Sequence, residues 1–69
     1  MSTMFKAGDF FVRLRDQGDR PKLTIWNSRG TKIVSEFIGS ATESFWAKIA
    51  ELTSQEVVDR VQALLEGEQ

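Results

Sequence analysis

The fold class is decided by residues 10–38, FFVRLRDQGDRPKLTIWNSRGTKIVSEFI, where apolar and polar side chains alternate between short polar breaks. Alternation with a period of two is typical of β-strands, because successive side chains point to opposite faces. The pattern predicts three strands, at 10–15, 22–26 and 31–38. A loop is expected at 16–21, and the segment from Asn27 to Gly30 has the composition of a tight turn. Residues 4–7 are a candidate for a short additional edge strand.

After Gly39 the period becomes helical, and two capping boxes mark helix starts, Ser40-Ala41-Thr42-Glu43 and Thr53-Ser54-Gln55-Glu56. In a capping box the hydroxyl of the first residue accepts a hydrogen bond from the backbone amide three residues later. The side chain of the glutamate accepts one from the backbone amide of the first residue. We therefore expect helices to begin after Ser40 and after Thr53, with Gly67 closing the second in a left-handed conformation. The predicted fold class is α+β, a three-stranded antiparallel sheet followed by two short helices (βββαα).

The second predicted helix carries a wide apolar stripe, formed by Val57, Val58, Val61, Leu64 and Leu65. One small sheet has little surface with which to cover such a stripe. It either packs into the core of its own chain, or forms a face for a second copy or a partner helix. A single domain of 69 residues without a disulfide has a marginal core, so we expect a homodimer.

Composition excludes most chemistry. The chain contains no Cys and no His, which removes thiol nucleophiles, imidazole bases and nearly all transition-metal sites. The five glycines are dispersed and form no phosphate-binding loop. We therefore expect no enzymatic activity, no cofactor and no metal, and we interpret Asp16 and Asp19 as ordinary turn residues.

Residues 1–6 lack the features of a secretory signal, and no stretch approaches the roughly 18 apolar residues of a membrane span. We therefore expect a cytoplasmic protein with no membrane association, in a bacterial or phage-infected host cell.

The net charge of −1 hides two unlike parts of this single domain, 1–69. Residues 1–33 contain seven Lys and Arg residues but only three acidic residues. Residues 34–69 contain two Lys and Arg residues and seven acidic residues. The predicted basic β-meander at 9–38 therefore precedes an acidic helical pair at 40–67. A basic surface suits nucleic acid or an acidic protein, and acids close to it would oppose a polyanion.

One face of the predicted sheet would combine aromatic and cationic side chains. Its members are Phe11, Arg13, Arg15, Lys22, Thr24 and Trp26, with Arg29 and Lys32 at the turn. Such a face would serve as a platform for single-stranded nucleic acid, because bases stack on rings while cations follow phosphates. The alternative is that Phe11 and Trp26 cover a dimer interface or the edge of the core.

Four segments, 5–8, 11–15, 22–26 and the helix start at 45–49, resemble the single-stranded-DNA-binding transcriptional coactivators of the positive-cofactor type. That resemblance implies a curved basic sheet paired with a helix through which the protein dimerises. The chain departs from the family in lacking a clear fourth strand and in adding a second helix.

In size and make-up the chain also resembles small phage-encoded inhibitors of host regulators or defence proteins. This resemblance implies a non-enzymatic protein-binding module, an inhibitor or anti-activator that blocks its target by direct binding. The expected anchors are aromatic residues rimmed by arginines, namely Phe11, Trp26 and Trp46 with Arg13, Arg15 and Arg29. The alternative is a nucleic-acid-binding regulator that uses the basic aromatic face of the sheet.

Overall fold

A computed structural model describes residues 2–15, 21–39 and 42–67 of the chain. Its architecture is α+β, an antiparallel sheet covered on one face by two helices. The elements are β1 (Ser2–Ala7), β2 (Phe10–Arg15), β3 (Lys22–Trp26), β4 (Lys32–Phe37), α1 (Glu43–Leu52) and α2 (Gln55–Leu65). The strands lie in chain order, β1-β2-β3-β4, so each pairs with its neighbour in sequence.

The sheet has four strands, so the prediction of three was wrong, while the candidate edge strand at residues 4–7 is confirmed and is longer than expected, Ser2–Ala7. β1 pairs with β2 along its whole length, from Ser2 opposite Arg15 to Ala7 opposite Phe10. Gly8 and Asp9 alone connect them, and Gly8 has φ +60°, a left-handed conformation that glycine adopts at low cost. An edge strand buries few side chains, which is why its apolar pattern is short.

The turn between β3 and β4 is confirmed. The side-chain oxygen of Asn27 accepts hydrogen bonds from the backbone amides of Arg29 and Thr31, both at 2.9 Å. Gly30 has φ +83°, and its amide donates to the Asn27 carbonyl at 3.0 Å. β4 begins at Lys32, one residue later than predicted, and a register irregularity lies where it pairs with β3. The predicted loop lies outside the described residues at 16–20.

The prediction for the first helix was wrong by two residues, because the helix begins at Glu43 and its N-cap is Thr42, whose hydroxyl accepts from the amide of Phe45 at 3.4 Å. The part of the predicted capping box at residues 40 and 41 lies outside the described residues. The prediction for the second helix was wrong by one residue, because Ser54 is the N-cap and accepts from the amide of Val57 at 3.3 Å. The left-handed conformation predicted for Gly67 is confirmed by its φ of +83°.

Thr53 does not cap the second helix because it still belongs to the end of the first. Its amide donates to the Ile49 carbonyl at 2.9 Å, and its hydroxyl donates to the same oxygen at 2.6 Å. Because the Thr53 hydroxyl is hydrogen-bonded to the carbonyl of the preceding helix, Ser54 is the residue that caps the next helix. The reversal between α1 and α2 therefore takes only two residues.

The core lies between the sheet and the helices. Its buried members are Ala7, Val12, Leu14, Leu23, Ile25, Val34, Ile38, Ile49, Val57, Val58 and Val61. The apolar stripe of α2 thus divides: three valines lie in the core of their own chain, Leu64 packs partly buried against it, and Leu65 is exposed. Within the described residues, neither helix is long and apolar enough to cross a membrane.

Candidate binding face of the sheet

The surface of interest is the side of the sheet that faces away from the helices, here called the outer face. Alternate strand residues such as Val12, Leu23 and Ile25 point into the core, so the residues between them point outward. The outer face consists of Ser2, Met4, Lys6, Phe11, Arg13, Arg15, Lys22, Thr24, Trp26, Lys32, Ser35 and Phe37.

Strand register arranges these side chains in three rows that run across the sheet. The turn row, nearest the two short hairpin turns, is Lys6, Phe11, Trp26 and Lys32. The middle row is Met4, Arg13, Thr24 and Ser35. The far row is Ser2, Arg15, Lys22 and Phe37. Neighbours within a row are directly opposite each other on adjacent strands, close enough for their side chains to interact.

The outer face carries charge of one sign. Its cations are Lys6, Arg13, Arg15, Lys22 and Lys32, and none of its residues is acidic. The one acid within the four strands, Glu36, lies opposite Leu23 on the helix side of the sheet. It accepts a hydrogen bond from Lys48 Nζ at 3.2 Å. No acid among the described strand residues therefore offsets the positive charge of the outer face.

Each of the three aromatic rings on the outer face has a cation over it. Lys6 Nζ lies 5.6 Å from the ring centroid of Phe11, and Lys22 Nζ lies 5.5 Å from that of Phe37. The guanidinium carbon of Arg13 lies 5.3 Å from the Trp26 ring. Such contacts are attractive because the ring face carries partial negative charge.

The centre of the outer face is closely packed around Arg13. Thr24, directly opposite Arg13, is a polar residue with only 1% of its surface exposed. Arg13 Nε is also buried, and it has no hydrogen-bond partner within the described part of the chain. An N–H group left unpaired in such a position costs free energy. Arg13 therefore has hydrogen-bonding capacity that these residues do not use.

The acidic part of the chain lies on the opposite side of the molecule. The exposed acids of the helical region are Glu43, Glu51, Glu56, Asp59 and Glu66. Its two cations both contact the sheet: Lys48 binds Glu36 on β4, and Arg60 Nη1 donates to the Lys6 carbonyl of β1 at 3.1 Å. The described acids of the helices therefore lie on the helix side of the sheet, whereas Asp9 is an exposed acid in the turn that joins β1 to β2, beside the turn row.

Four of the six residues expected to bind a partner lie together, since Phe11, Arg13, Arg15 and Trp26 all belong to the outer face. Arg29 is exposed in the turn that joins β3 to β4, beside the turn row. Trp46 is separate from them.

Trp46 lies on α1, half-buried, with its ring edge-to-face against Phe45 at a centroid distance of 5.0 Å. Sequence reasoning missed five members of the outer face, Met4, Lys6, Ser2, Ser35 and Phe37. The alternation of Phe5 and Ala7 with Met4 and Lys6 was the available signal for the first two.

The fold is an α+β sheet with a basic aromatic outer face, and no family model, curated protein or solved structure matches this chain. Function must therefore be inferred from the chemistry of the outer face.

Proposed function

We propose that the protein is a non-enzymatic nucleic-acid-binding module and that the outer face of its sheet binds the phosphate backbone. The observation that carries this proposal is the grouping of five cations, with no acid among them, on one side of the sheet. Each cation that neutralises a phosphate releases condensed counterions, and this release is the main source of sequence-independent affinity. The resemblance to the positive-cofactor coactivators is in keeping with this proposal.

The size of the outer face suits a short stretch of backbone. Strands lie about 4.8 Å apart, so the four strands span about 14 Å, and successive rows are about 6.7 Å apart. Lys6 and Lys32 lie on the two edge strands, while Arg13, Arg15 and Lys22 lie on the central pair. Positive charge therefore extends across the whole width of the sheet.

The separation of charge also supports the proposal, despite a net charge of −1. A polyanion that approaches the outer face meets cations first, while the exposed acids of the helices face the other way. The resulting dipole would orient the protein during encounter, and the effect would weaken as salt screens it.

The test is the salt dependence of binding to a fluorescent oligonucleotide, followed by anisotropy. The proposal predicts a linear fall of the logarithm of affinity with the logarithm of salt concentration. Arg15→Gln and Lys22→Gln should each reduce the slope by about 1. The matched control is Lys48→Gln, because Lys48 is a cation engaged with Glu36 on the helix side and should leave the slope unchanged. Absence of binding at low salt would refute the proposal.

The protein-binding function expected from the sequence is the second candidate. Exposed apolar side chains favour it, since Met4 is 63% exposed and Phe11 and Phe37 lie on the same face. Aromatic anchors beside arginines are typical centres of protein interfaces. The protein would then act as a phage-type inhibitor or anti-activator of a host regulator. Affinity capture from bacterial lysate, with and without nuclease, separates the candidates, because a protein partner survives nuclease treatment and a nucleic-acid bridge does not.

We further propose a cytoplasmic homodimer that associates through its helical side. Leu52 on α1 and Leu65 on α2 are exposed there, away from the outer face. Sedimentation equilibrium tests this proposal, with Leu65→Lys expected to shift the protein towards monomer. A protein that sediments as a monomer at all concentrations would refute it.

A further inference from the structure

Phe11 and Trp26 form the one place where the described outer face sets two aromatic rings side by side. They are directly opposite each other on the two central strands, β2 and β3. Residues so paired have Cα atoms about 4.5–5.5 Å apart, so the two side chains leave the sheet together. Phe37, in contrast, is opposite Lys22 on an edge strand.

Cations flank this ring pair on both sides. The turn row runs Lys6, Phe11, Trp26, Lys32 across the sheet, so its order is cation, ring, ring, cation. Unpaired bases stack on aromatic side chains of exposed sheets, and cations beside those rings contact the adjoining phosphates. Two consecutive nucleotides would need two adjacent rings for their bases and a cation on each side for their phosphates. The turn row provides these groups in that order.

We propose that Phe11 and Trp26 form a stacking site for two neighbouring unpaired bases, with Lys6 and Lys32 holding the flanking phosphates. This inference rests on the proposed nucleic-acid binding and narrows it to single strands. A duplex keeps its bases stacked inside the helix, so it offers phosphates to the outer face but no free base surface to the rings.

The cations that now lie over the two rings must move aside when bases stack. Lys6 Nζ is 5.6 Å from the Phe11 centroid, and the Arg13 guanidinium carbon is 5.3 Å from that of Trp26. Both groups remain beside the bound strand, where its phosphates replace the rings as partners. Arg13 Nε, unpartnered among the described residues, would gain an acceptor in the exchange. The cations thus hold the rings in place until bases displace them.

The test compares three probes of equal length, about twelve nucleotides: oligothymidine, an abasic strand with the same phosphates, and a duplex. Stacking is worth roughly 1–3 kcal/mol per base, so oligothymidine should bind at least about tenfold more tightly than the abasic strand. In a Trp46→Phe background, oligothymidine should also quench the fluorescence of Trp26, and the abasic strand should not.

Phe11→Leu and Phe37→Leu form a matched pair of variants. The two rings are equally exposed, at 43% and 46%, and each lies about as far from a lysine, at 5.6 and 5.5 Å. Their strand register differs, because Phe11 is opposite the ring of Trp26 whereas Phe37 is opposite Lys22. Phe11→Leu should weaken oligothymidine binding about tenfold and leave abasic binding unchanged, whereas Phe37→Leu should change neither by more than about twofold. Thermal unfolding of both variants verifies that they fold.

The outcomes separate this inference from the proposed function. Equal affinity for oligothymidine and the abasic strand would support phosphate binding and overturn the stacking site. An equal loss in Phe11→Leu and Phe37→Leu would also overturn it, because the ring pair would then have no special role. Failure to bind any of the three probes at low salt would refute the nucleic-acid function itself and favour the protein partner.

Discussion

Arg60 and Lys6 are joined by a hydrogen bond between elements 54 residues apart in the chain, with Arg60 Nη1 donating to the Lys6 carbonyl at 3.1 Å. The Arg60 guanidinium also lies 4.4 Å from the ring centroid of Phe5. Through these contacts α2 covers part of the free edge of β1. An uncovered edge strand is a template for pairing with other chains, so the contact also protects the sheet.

We predict that Arg60→Met lowers the free energy of unfolding by about 1 kcal/mol, because it removes both the ring contact and a charged donor. Methionine keeps the helix propensity and much of the apolar stem. Urea denaturation followed by circular dichroism gives the value.

Lys48→Met is the comparison for this prediction, since Lys48 is the other helix cation that contacts the sheet. Its ion pair with Glu36 is well exposed on both sides, and a pair of that kind contributes only about 0.3 kcal/mol. If the two variants lost equal stability, the Phe5 contact would have no effect of its own.

The capping of α2 predicts opposite responses at two adjacent residues. Ser54→Asp should retain stability, because a carboxylate accepts the Val57 amide and favours a helix N-terminus. Ser54→Ala should cost about 1 kcal/mol. Thr53→Asp should also destabilise, because a carboxylate cannot donate to the Ile49 carbonyl as the Thr53 hydroxyl does. Chemical denaturation of the three variants tests this. A neutral Thr53→Asp beside a damaging Ser54→Asp would show that Thr53 is the cap.

Gly30 and Gly39 allow a clean test of backbone strain. A Cβ added at either residue would meet nothing within 4 Å, but only Gly30 has a positive φ, +83°. Gly30→Ala should therefore cost about 1 kcal/mol, the price of a left-handed alanine. Gly39→Ala should be neutral or stabilise by up to about 1 kcal/mol, because it reduces the freedom of the unfolded chain. Thermal denaturation compares them, and equal effects of the two changes would contradict this account.

Alternation was enough to predict β2 and β3 to the residue, because both are central strands that bury Val12, Leu14, Leu23 and Ile25 on the helix side. β1 was predicted only as a candidate edge strand at residues 4–7 and was left out of the strand count, because Phe5 and Ala7 are its only two apolar residues on the helix side. The α2 cap was misplaced because Thr53 and Ser54 are both good caps in sequence. Only the hydrogen bond from Thr53 back to Ile49 distinguishes them.

For the outer face, the sequence predicts which residues of one strand share a face but not how the strands pair. Alternation places Phe11 and Arg13 on one face, and Trp26 on one face of the next strand, but it does not say which residues are opposite each other. That register depends on where the chain re-enters the sheet after residues 16–20, which no local pattern determines. Trp46 was grouped with the outer face on residue type alone, and the packing of α1 on the other side of the sheet separates them.

Arg13 provides a prediction that separates binding from stability. Its side chain is half-buried over Trp26, and its Nε has no hydrogen-bond partner among the described residues. Arg13→Met would keep apolar contact with the ring and remove a buried polar group that costs free energy. Loss of the cation–π contact, about 0.5–1 kcal/mol, opposes that gain. We therefore expect the free energy of unfolding to change by less than about 0.5 kcal/mol.

Nucleic-acid binding by Arg13→Met should respond differently from stability. The variant loses one of the five cations of the outer face, so affinity at low salt should fall severalfold and the salt slope should decrease by about 1. Urea denaturation and oligonucleotide anisotropy on the same preparation measure both quantities. If Arg13 served only the stability of the fold, Arg13→Met would cause a large loss of stability and leave binding unchanged, which would contradict this prediction. A loss of binding without a loss of stability would support the proposal that Arg13 Nε, which has no hydrogen-bond partner among the described residues, acquires one from the nucleic acid.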